Sequence, residues 1–421
     1  MAAAKPKHVF SRYQKFLIAI LAFLQFTIIL DFMIVSPLGA MVMPKLHITP
    51  QQFAWVVSSY AFSASASGLL SAGFADRFDR KRLLLFFYTG FTIGTLLCGL
   101  ATTYPMLLMA RIVTGLFGGV IGSVVMAIAT DLFALEVRGR VMGFIQTAFA
   151  ASQVLGLPTA LYFANHWDWH APFLAIIAVI VPVGLLIMLG MKPVTAHLLL
   201  KQERSPFSHL VHTVTQPRYR LAFLLVMLLP TGGYMLMPFG TAFMVNNVGV
   251  PFTALPTIYL VTGLFTVFVG PVVGRVSDSF GKFNTFCIGS AVSFVMVAIW
   301  TNIGHSPLIE VIVINVVMFV GIFSRIIPSQ ALISAVPDPA QRGAFNAINA
   351  SLQQFAGAIS AAIAGWMIVE QPSGSLSHFN WLGYIVMAIL LVSVTLMYFL
   401  HKSVPERSRP AVAANASTET V

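Results

Sequence analysis

The stretch Ala72-Gly73-Phe74-Ala75-Asp76-Arg77-Phe78-Asp79-Arg80-Lys81-Arg82 carries six charged residues in eleven positions, although only 9% of the 421 residues are charged. Long runs with almost no charge lie on each side of it. A tight polar turn between two apolar segments indicates a surface at which two helices leave an apolar medium. The composition of the whole chain identifies that medium.

The composition is that of a membrane protein. The chain is 58% hydrophobic, with a mean hydropathy of +0.87, whereas a soluble domain is about 45–50% apolar. Long apolar runs recur over the full length, and they are too long, and too poor in alternation, for a β-barrel. We therefore predict an all-α polytopic membrane protein, because lipid offers the backbone no hydrogen-bond partners outside helices.

The charge and the cysteines exclude other classes of protein. The net charge of +11 is explained by basic loops that set membrane orientation, so no nucleic-acid partner is expected. Cys98 and Cys287 each lie inside an apolar run without metal-ligating neighbours. We expect no disulfide, no metal site and no cofactor.

Twelve spans are predicted, in two six-helix bundles. The predicted order is a cytoplasmic N-terminus (1–15), an N-terminal bundle (16–190), a cytoplasmic linker (191–218), a C-terminal bundle (219–400) and a disordered cytoplasmic tail (401–421). The linker is the longest polar segment between spans. With the N-terminus in the cytoplasm, every Lys and Arg lies on the cytoplasmic side except Lys45, Arg111 and Arg325. This bias predicts that both termini are cytoplasmic.

The two halves repeat weakly. The loop after the second span, with Asp76 and Lys81, has a counterpart in Gly274-Arg275-Val276-Ser277-Asp278-Ser279-Phe280-Gly281-Lys282 after the eighth span. Arg138-Gly139, before the fifth span, is echoed by Arg342-Gly343, before the eleventh. Two parallel six-span repeats joined by a long linker are typical of major facilitator transporters.

The sequence resembles the major facilitator superfamily over about residues 16–400. The opening stretch is similar to that family's signature between the second and third helices, roughly G-x-x-x-D-R-x-G-R-K. Asp76, Arg77, Arg80 and Lys81 match it, whereas Ala72 and Asp79 replace its two glycines.

Three further stretches resemble transporters of this superfamily. Arg111-Ile112-Val113-Thr114-Gly115 resembles the fourth-helix signature, and Leu30-Asp31-Phe32-Met33-Ile34-Val35 resembles the first-helix signature of twelve-helix drug:proton antiporters. Gly156-Leu157-Pro158 resembles a weakened antiporter motif, in a form closer to arabinose-efflux-like permeases. The resemblance implies a transporter rather than an enzyme, with efflux as its direction.

Asp31 lies in the first span, where an ionisable group costs about 2.5–3.5 kcal/mol to insert. Burial favours the protonated form of a carboxyl group, so Asp31 is a candidate for loading and releasing a proton. Two alternatives stay open: a structural pair with Arg111, and direct contact with substrate. Family analogy makes Arg111 a modulator of the proton site, and snorkelling to the outer interface is the alternative for that residue.

Other polar residues at membrane depth are candidates for substrate binding. An unpaired Arg325 in the tenth span should face the cavity, where it would contact an anionic or hydroxyl-rich substrate. Amides follow one face of the fifth and eleventh spans, and Gln25 and Tyr234 are weaker candidates. Packing between helices is the alternative for these amides, which are Gln146, Gln153, Asn346, Asn349 and Gln353.

These features predict a secondary transporter that exports a small organic molecule, such as a drug or sugar, in exchange for protons by alternating access. The chain lacks the phosphate-binding G-x-x-x-x-G-K-[ST] motif. The alternative is a proton symporter or uniporter that imports a small metabolite. We expect a monomer in the bacterial inner (plasma) membrane, with substrate, protons and the lipid bilayer as its partners.

The opening stretch is also predicted to act as a conformational switch. Asp76 is placed to meet the positive N-terminal end of the eleventh helix near Arg342, and Arg80 to reach Asp131 at the end of the fourth. These contacts would latch the halves in the outward-open state. Arg77 and Lys81 complete the candidate switch, and positive-inside anchoring is the alternative explanation for both.

Overall fold

The computed structural model describes residues 10–71, 74–195, 198, 212–338 and 341–403. Within these residues it contains twelve long helices and one short antiparallel hairpin. The first six are α1 (Arg12–Leu46), α2 (Pro50–Ser71), α3 (Arg80–Gly99), α4 (Tyr104–Leu132), α5 (Leu135–Ala151 and Leu157–His166, joined by the π-helical turn Ser152–Gly156) and α6 (Ala171–Gly190). The others are α7 (Arg220–Phe243, followed by the π-helical turn Met244–Val248), α8 (Leu255–Phe280), α9 (Lys282–Trp300), α10 (Leu308–Ile333), α11 (Arg342–Met367) and α12 (Phe379–Ser403); β1 (Val369–Glu370) pairs with β2 (Leu376–Ser377) between α11 and α12.

Eleven of these helices in the described chain are long and apolar enough to cross a membrane by their own composition. The exception, α11, is equally long at 26 residues but carries the amides Asn346, Asn349 and Gln353. It packs along α2 and α7, so neighbouring helices shield much of its surface from lipid. The predicted fold class, an all-α polytopic membrane protein of two six-helix bundles, is confirmed.

Local sequence sets several helix ends. Ser11 caps α1, since its hydroxyl accepts from the backbone N–H of Gln14 while the Gln14 side chain accepts from the N–H of Ser11. Asp79 caps α3 by accepting from the N–H of Lys81 at 3.0 Å. It also accepts from the N–H of Val194 at 2.8 Å. The Asp in place of the signature's second glycine therefore ties the start of α3 to the chain that follows α6.

The two halves meet mainly along three helix pairs: α2 with α11, α1 with α7, and α5 with α8. The α2–α11 contact includes a hydrogen bond, in which the Ser65 hydroxyl donates to the Ser351 carbonyl at 2.8 Å. Phe62 and Phe355 add an edge-to-face ring contact with centroids 5.8 Å apart. Each half therefore contributes helices from its own bundle to a shared interface.

The repeat of the two halves is visible in matching loops. Arg80 Nη2 at the start of α3 lies 2.7 Å from Asp76 Oδ1 in the loop after α2, and Lys282 Nζ at the start of α9 lies 3.6 Å from Asp278 Oδ1 near the end of α8. Both are pairs of an acid with a base four residues later. The predicted linker 191–218 falls between α6 and α7, but residues 196–197 and 199–211, like the ends 1–9 and 404–421, lie outside the described residues.

Candidate functional site

A buried ion pair joins α1 to α4 near the middle of the N-terminal half. Arg111 Nη1 lies 2.8 Å from Asp31 Oδ2, and the two side chains are 1% and 0% exposed. The Thr95 hydroxyl of α3 donates to the other carboxylate oxygen at 3.1 Å. Both carboxylate oxygens are therefore hydrogen-bonded, and these bonds favour the ionised form of the buried carboxylate.

Small residues allow α2 to approach α4 closely beside this pair. A Cβ at Gly115 would lie 2.4 Å from the Tyr60 carbonyl oxygen, so only glycine fits there. The close approach brings the Tyr60 ring under Arg111, whose guanidinium carbon lies 4.5 Å from the ring centroid. Arg111 is thus held on one side by a carboxylate and on another by an aromatic face.

Aromatic residues lead from the ion pair to the other half. The Phe32 ring of α1 lies 5.3 Å from that of Tyr60 and 5.9 Å from that of Tyr234 in α7. The Tyr234 hydroxyl donates to Gln354 Oε1 of α11 at 2.7 Å. A Cβ at Gly357 would lie 2.6 Å from the Tyr234 ring, so the ring rests directly on the α11 backbone.

The structure distributes the predicted amides over different environments. Gln146, Asn346 and Gln353 are exposed. Gln153 is only 5% exposed, in the π-helical turn where α5 meets α8. The amides therefore do not form one cluster.

Two amide oxygens have no hydrogen-bond partner among the described residues. They are Gln25 Oε1 in α1 and Asn349 Oδ1 in α11, and both are buried. A buried acceptor without a partner costs about 1–3 kcal/mol. Both oxygens are therefore available to a donor from water or from a bound molecule.

Arg325 lies among helices of the C-terminal half. Its Nη2 donates to Ser393 of α12 at 3.3 Å, and its guanidinium lies 5.7 Å from the Phe286 ring of α9. The side chain is 8% exposed and therefore lies between helices of the C-terminal half. A substrate contact by Arg325 therefore stays a prediction.

The candidate switch contains one compact cluster. Arg80 is 6% exposed and binds two carboxylates, Asp76 at 2.7 Å and Asp131 at 3.1 Å. It thus ties the loop after α2 to the end of α4. Lys81 Nζ donates to the Met188 carbonyl of α6 at 2.9 Å, and Arg77 is exposed.

The predicted contact between Asp76 and α11 is not present among the described residues, where Asp76 binds Arg80 instead. The side chain of Arg342, the other half of that prediction, lies outside the described residues. The latch across the two halves therefore stays a prediction.

Sequence reasoning did not select Thr95, Tyr60 or Gln354. Thr95 and Tyr60 lie in runs where a hydroxyl gives no signal above the apolar background. Gln354 adjoins the predicted Gln353 but points about 100° away on the helix, because successive residues turn by that angle. Gly357 could have indicated Gln354. It lies three residues further along the same face of α11, and its missing side chain leaves room there for a ring from another helix.

The chain is similar in sequence to known membrane transporters. A profile of the Major Facilitator Superfamily matches residues 21–361. The MFS-type transporter YceJ of Bacillus subtilis is 22% identical over 383 residues, 90% of this chain and 94% of that protein. Multidrug resistance protein 3 of Bacillus subtilis is 34% identical over 135 residues, 32% of this chain and 26% of its own length. Efflux pump dotC of Dothistroma septosporum is 35% identical over 118 residues, 28% of this chain and 20% of its own length.

Solved structures share the fold. A bacterial homologue of the human lysosomal transporter Spinster superposes with a TM-score of 0.72 at 13% identity, over 96% of this chain and all of that one. The nucleoside transporter NupG gives 0.72 at 13% identity, over 92% of this chain and 99% of its own. The profile match, which extends from α1 into α11, shows that this chain belongs to the Major Facilitator Superfamily and is a multi-pass membrane transporter.

Proposed function

We propose that the protein exports a small organic molecule in exchange for protons, with Asp31 as the coupling acid. The observation that carries the proposal is the ion pair of Asp31 and Arg111, buried at membrane depth. A charge pair in such a place is expensive to maintain, and intramembrane ionisable groups are by default candidates for function. No other carboxylate of the described residues has so buried a partner.

The pair suits a two-step proton cycle. While Asp31 is ionised, it accepts from Arg111 and Thr95. A proton on Asp31 neutralises the carboxylate, so that Arg111 keeps its contacts with the Tyr60 ring and Cys98 but loses its charged partner. The two protonation states therefore have different interactions between α1, α2 and α4, which is the condition for a proton to shift a conformational equilibrium.

The substrate site is proposed between the halves, around the aromatic pair Phe32 and Tyr234 and the unpartnered amide oxygens of Gln25 and Asn349. Aromatic faces with few polar groups suit a neutral or amphipathic organic molecule. Relatives named as a multidrug resistance protein and an efflux pump support export as the direction. Both termini are proposed to be cytoplasmic and the protein to act as a monomer in the plasma membrane.

Two alternatives also fit parts of the geometry. In the first, the pair of Asp31 and Arg111 only ties α1 to α4 and moves no proton. Thr95 and Tyr60 would surround the pair in the same way in that case. The same fold supports proton symport or uniport, since alternating access does not fix direction. The decisive quantity is therefore the movement of protons relative to substrate.

Purified protein is first screened by thermal shift against sugars, nucleosides and amphipathic cations. Each stabilising compound is then tested in proteoliposomes that contain a pH indicator. Antiport predicts that substrate uptake into vesicles moves protons outward, and that Asp31→Asn abolishes accumulation driven by a pH gradient. Co-movement of substrate and protons would establish symport instead. Full gradient-driven accumulation by folded Asp31→Asn protein would exclude Asp31 as the coupling acid.

A further inference from the structure

A continuous row of side chains leads from the ion pair into the C-terminal half. It begins at Arg111, passes through the rings of Tyr60, Phe32 and Tyr234, and ends at Gln354. Each step is a direct contact, and the row crosses from α4 through α2 and α1 to α7 and α11. Helix α2 also touches α11 directly, through Ser65 with Ser351 and Phe62 with Phe355.

We infer that Tyr234 is the positioning residue that transmits the protonation state of Asp31 to α11. The inference rests on the proposed role of Asp31 and goes beyond it, because it states how the acid in one half alters the other. Tyr234 touches Phe32 with its ring and Gln354 with its hydroxyl. It therefore has one contact on each side of the boundary.

The ionisable groups around Asp31 come from three helices. They are Arg111 of α4, Cys98 of α3 and Tyr60 of α2, and Tyr234 of α7 lies next to Tyr60. Of these, Arg111 is the single cation. When the charge on Asp31 changes, Arg111 therefore shifts first. The Tyr60 ring, which contacts the Arg111 guanidinium, shifts next.

Phe32 is connected to the ion pair in two ways, so a shift of either Asp31 or Tyr60 moves its ring. It follows Asp31 directly in α1, and its ring packs on Tyr60. A shift of either moves the ring against Tyr234. In the C-terminal half Tyr234 has little freedom to absorb the shift, because its ring rests on the backbone at Gly357 and its hydroxyl is bound to Gln354. The movement is therefore passed to α11.

The second aromatic contact between the halves provides a control. Phe62 of α2 and Phe355 of α11 also meet edge to face, with centroids 5.8 Å apart. Neither belongs to the row that starts at Arg111. Phe355→Leu removes an aromatic contact between the halves without touching Tyr234, whereas Tyr234→Leu removes the proposed link. Tyr234→Phe keeps the ring on Phe32 and removes only the bond to Gln354.

The test measures conformation against pH without any substrate. Spin labels at Leu70→Cys in α2 and Val276→Cys in α8, which are both exposed, report the distance between the halves in a Cys287→Ser background. The buried Cys98 stays unlabelled. Distance distributions are recorded between pH 5.5 and 8 in lipid nanodiscs, for folded proteins that elute as a single peak.

We expect pH to change the ratio of the two distance populations in the parent protein and in Phe355→Leu. Tyr234→Leu should reduce that change about two- to thirtyfold, the fold-change that corresponds to the size of coupling effects seen for single mutations. Tyr234→Phe should reduce it by less. If Tyr234→Leu does not fold, Phe32→Leu, which breaks the same contact from the other half, replaces it in the comparison.

The outcomes separate the inference from the proposed function. A parent protein whose populations do not respond to pH overturns proton coupling itself, and the inference with it. A parent that responds, together with a Tyr234→Leu or Phe32→Leu protein that responds equally, overturns the inference alone. Equal loss in Phe355→Leu would likewise overturn it, because any contact between the halves would then suffice.

Discussion

Arg111 and Asp31 are 80 positions apart in the chain, yet Arg111 Nη1 donates to Asp31 Oδ2 over 2.8 Å, and both side chains are buried. The pair ties α1 to α4, and Tyr60 and Thr95 bring α2 and α3 against it. Four helices of the N-terminal half therefore meet at a single charge pair. Because the pair is buried, each of its members depends on the other.

This dependence predicts a strong coupling in stability. Asp31→Asn or Arg111→Gln alone leaves one partner of a buried pair and should cost about 3–5 kcal/mol. The double variant has no charge left and should lose much less than the sum. Thermal unfolding in detergent measures all four proteins. Additive losses would mean that the two side chains act independently, which would contradict the direct contact between them.

The approach of α2 to α4 gives a second prediction. A Cβ at Gly119 would lie 2.6 Å from the backbone of Ala64, which has no room to move within the α2–α4 contact. Gly119→Ala should therefore cost about 1–3 kcal/mol through overpacking. Gly143→Ala in α5 is the matched control, because nothing lies within 4 Å of its Cβ. Equal melting temperatures for the two variants would contradict the close approach.

The charged residues of the site could be predicted from the sequence, whereas its uncharged residues could not. A charge at membrane depth stands out because few residues there are charged, so Asp31 and Arg111 could be paired from sequence. Tyr60 and Thr95 could not, because their role depends on where α2 and α3 pack. Asp76 and Arg80 were found from their density of charge. The direction in which Arg325 points depends on which face of α10 packs against the other helices. The sequence of α10 does not determine that face.

Arg325 provides the third prediction. Its guanidinium is buried against Ser393 and Phe286, and within the described chain its Nε has no hydrogen-bond partner. Arg325→Met removes an inserted charge that costs up to about 3 kcal/mol and keeps an unbranched apolar stem. The variant should be as stable as the parent or more stable, in contrast to Arg111→Met. A lower melting temperature, together with loss of binding for a thermal-shift ligand, would support Arg325 as a substrate contact.

The Arg80 cluster gives the fourth prediction, which concerns its two unequal acids. The Asp131 side chain is 20% exposed and that of Asp76 is 47% exposed, while both bind the same buried guanidinium. Less solvent surrounds Asp131, so Asp131→Asn should destabilise the protein more than Asp76→Asn. Chemical or thermal unfolding measures the stabilities of the two variants. The reverse order would indicate that Asp76 has an additional partner, such as the predicted contact with α11.

Asp76 also allows a direct test of the latch. If Asp76 binds the start of α11 in the outward-open state, Asp76→Ala should shift the spin-label distances at Leu70→Cys and Val276→Cys toward the state with that side open. An unchanged distribution would restrict Asp76 to its local bond with Arg80. Asp79→Ala is a poor control, because Asp79 caps α3 and holds Val194. Arg82→Ala is preferable, since it removes a charge from the same turn.

The last prediction concerns the stability of the protein at low pH and Asp168, which lies in the connection between α5 and α6. Partial burial raises the pKa of Asp168, but hydrogen bonds from Lys45, the Trp169 N–H and His170 outweigh this effect, so the pKa lies below its ordinary value. Asp168 thus binds protons more weakly in the folded than in the unfolded chain. Its contribution to stability is complete above the unfolded pKa and is lost as the pH falls below about 4, through the folded pKa. Melting temperatures between pH 6 and 3 should fall less steeply for Asp168→Asn than for the parent. Parallel curves would show that Asp168 contributes no acid-sensitive stability.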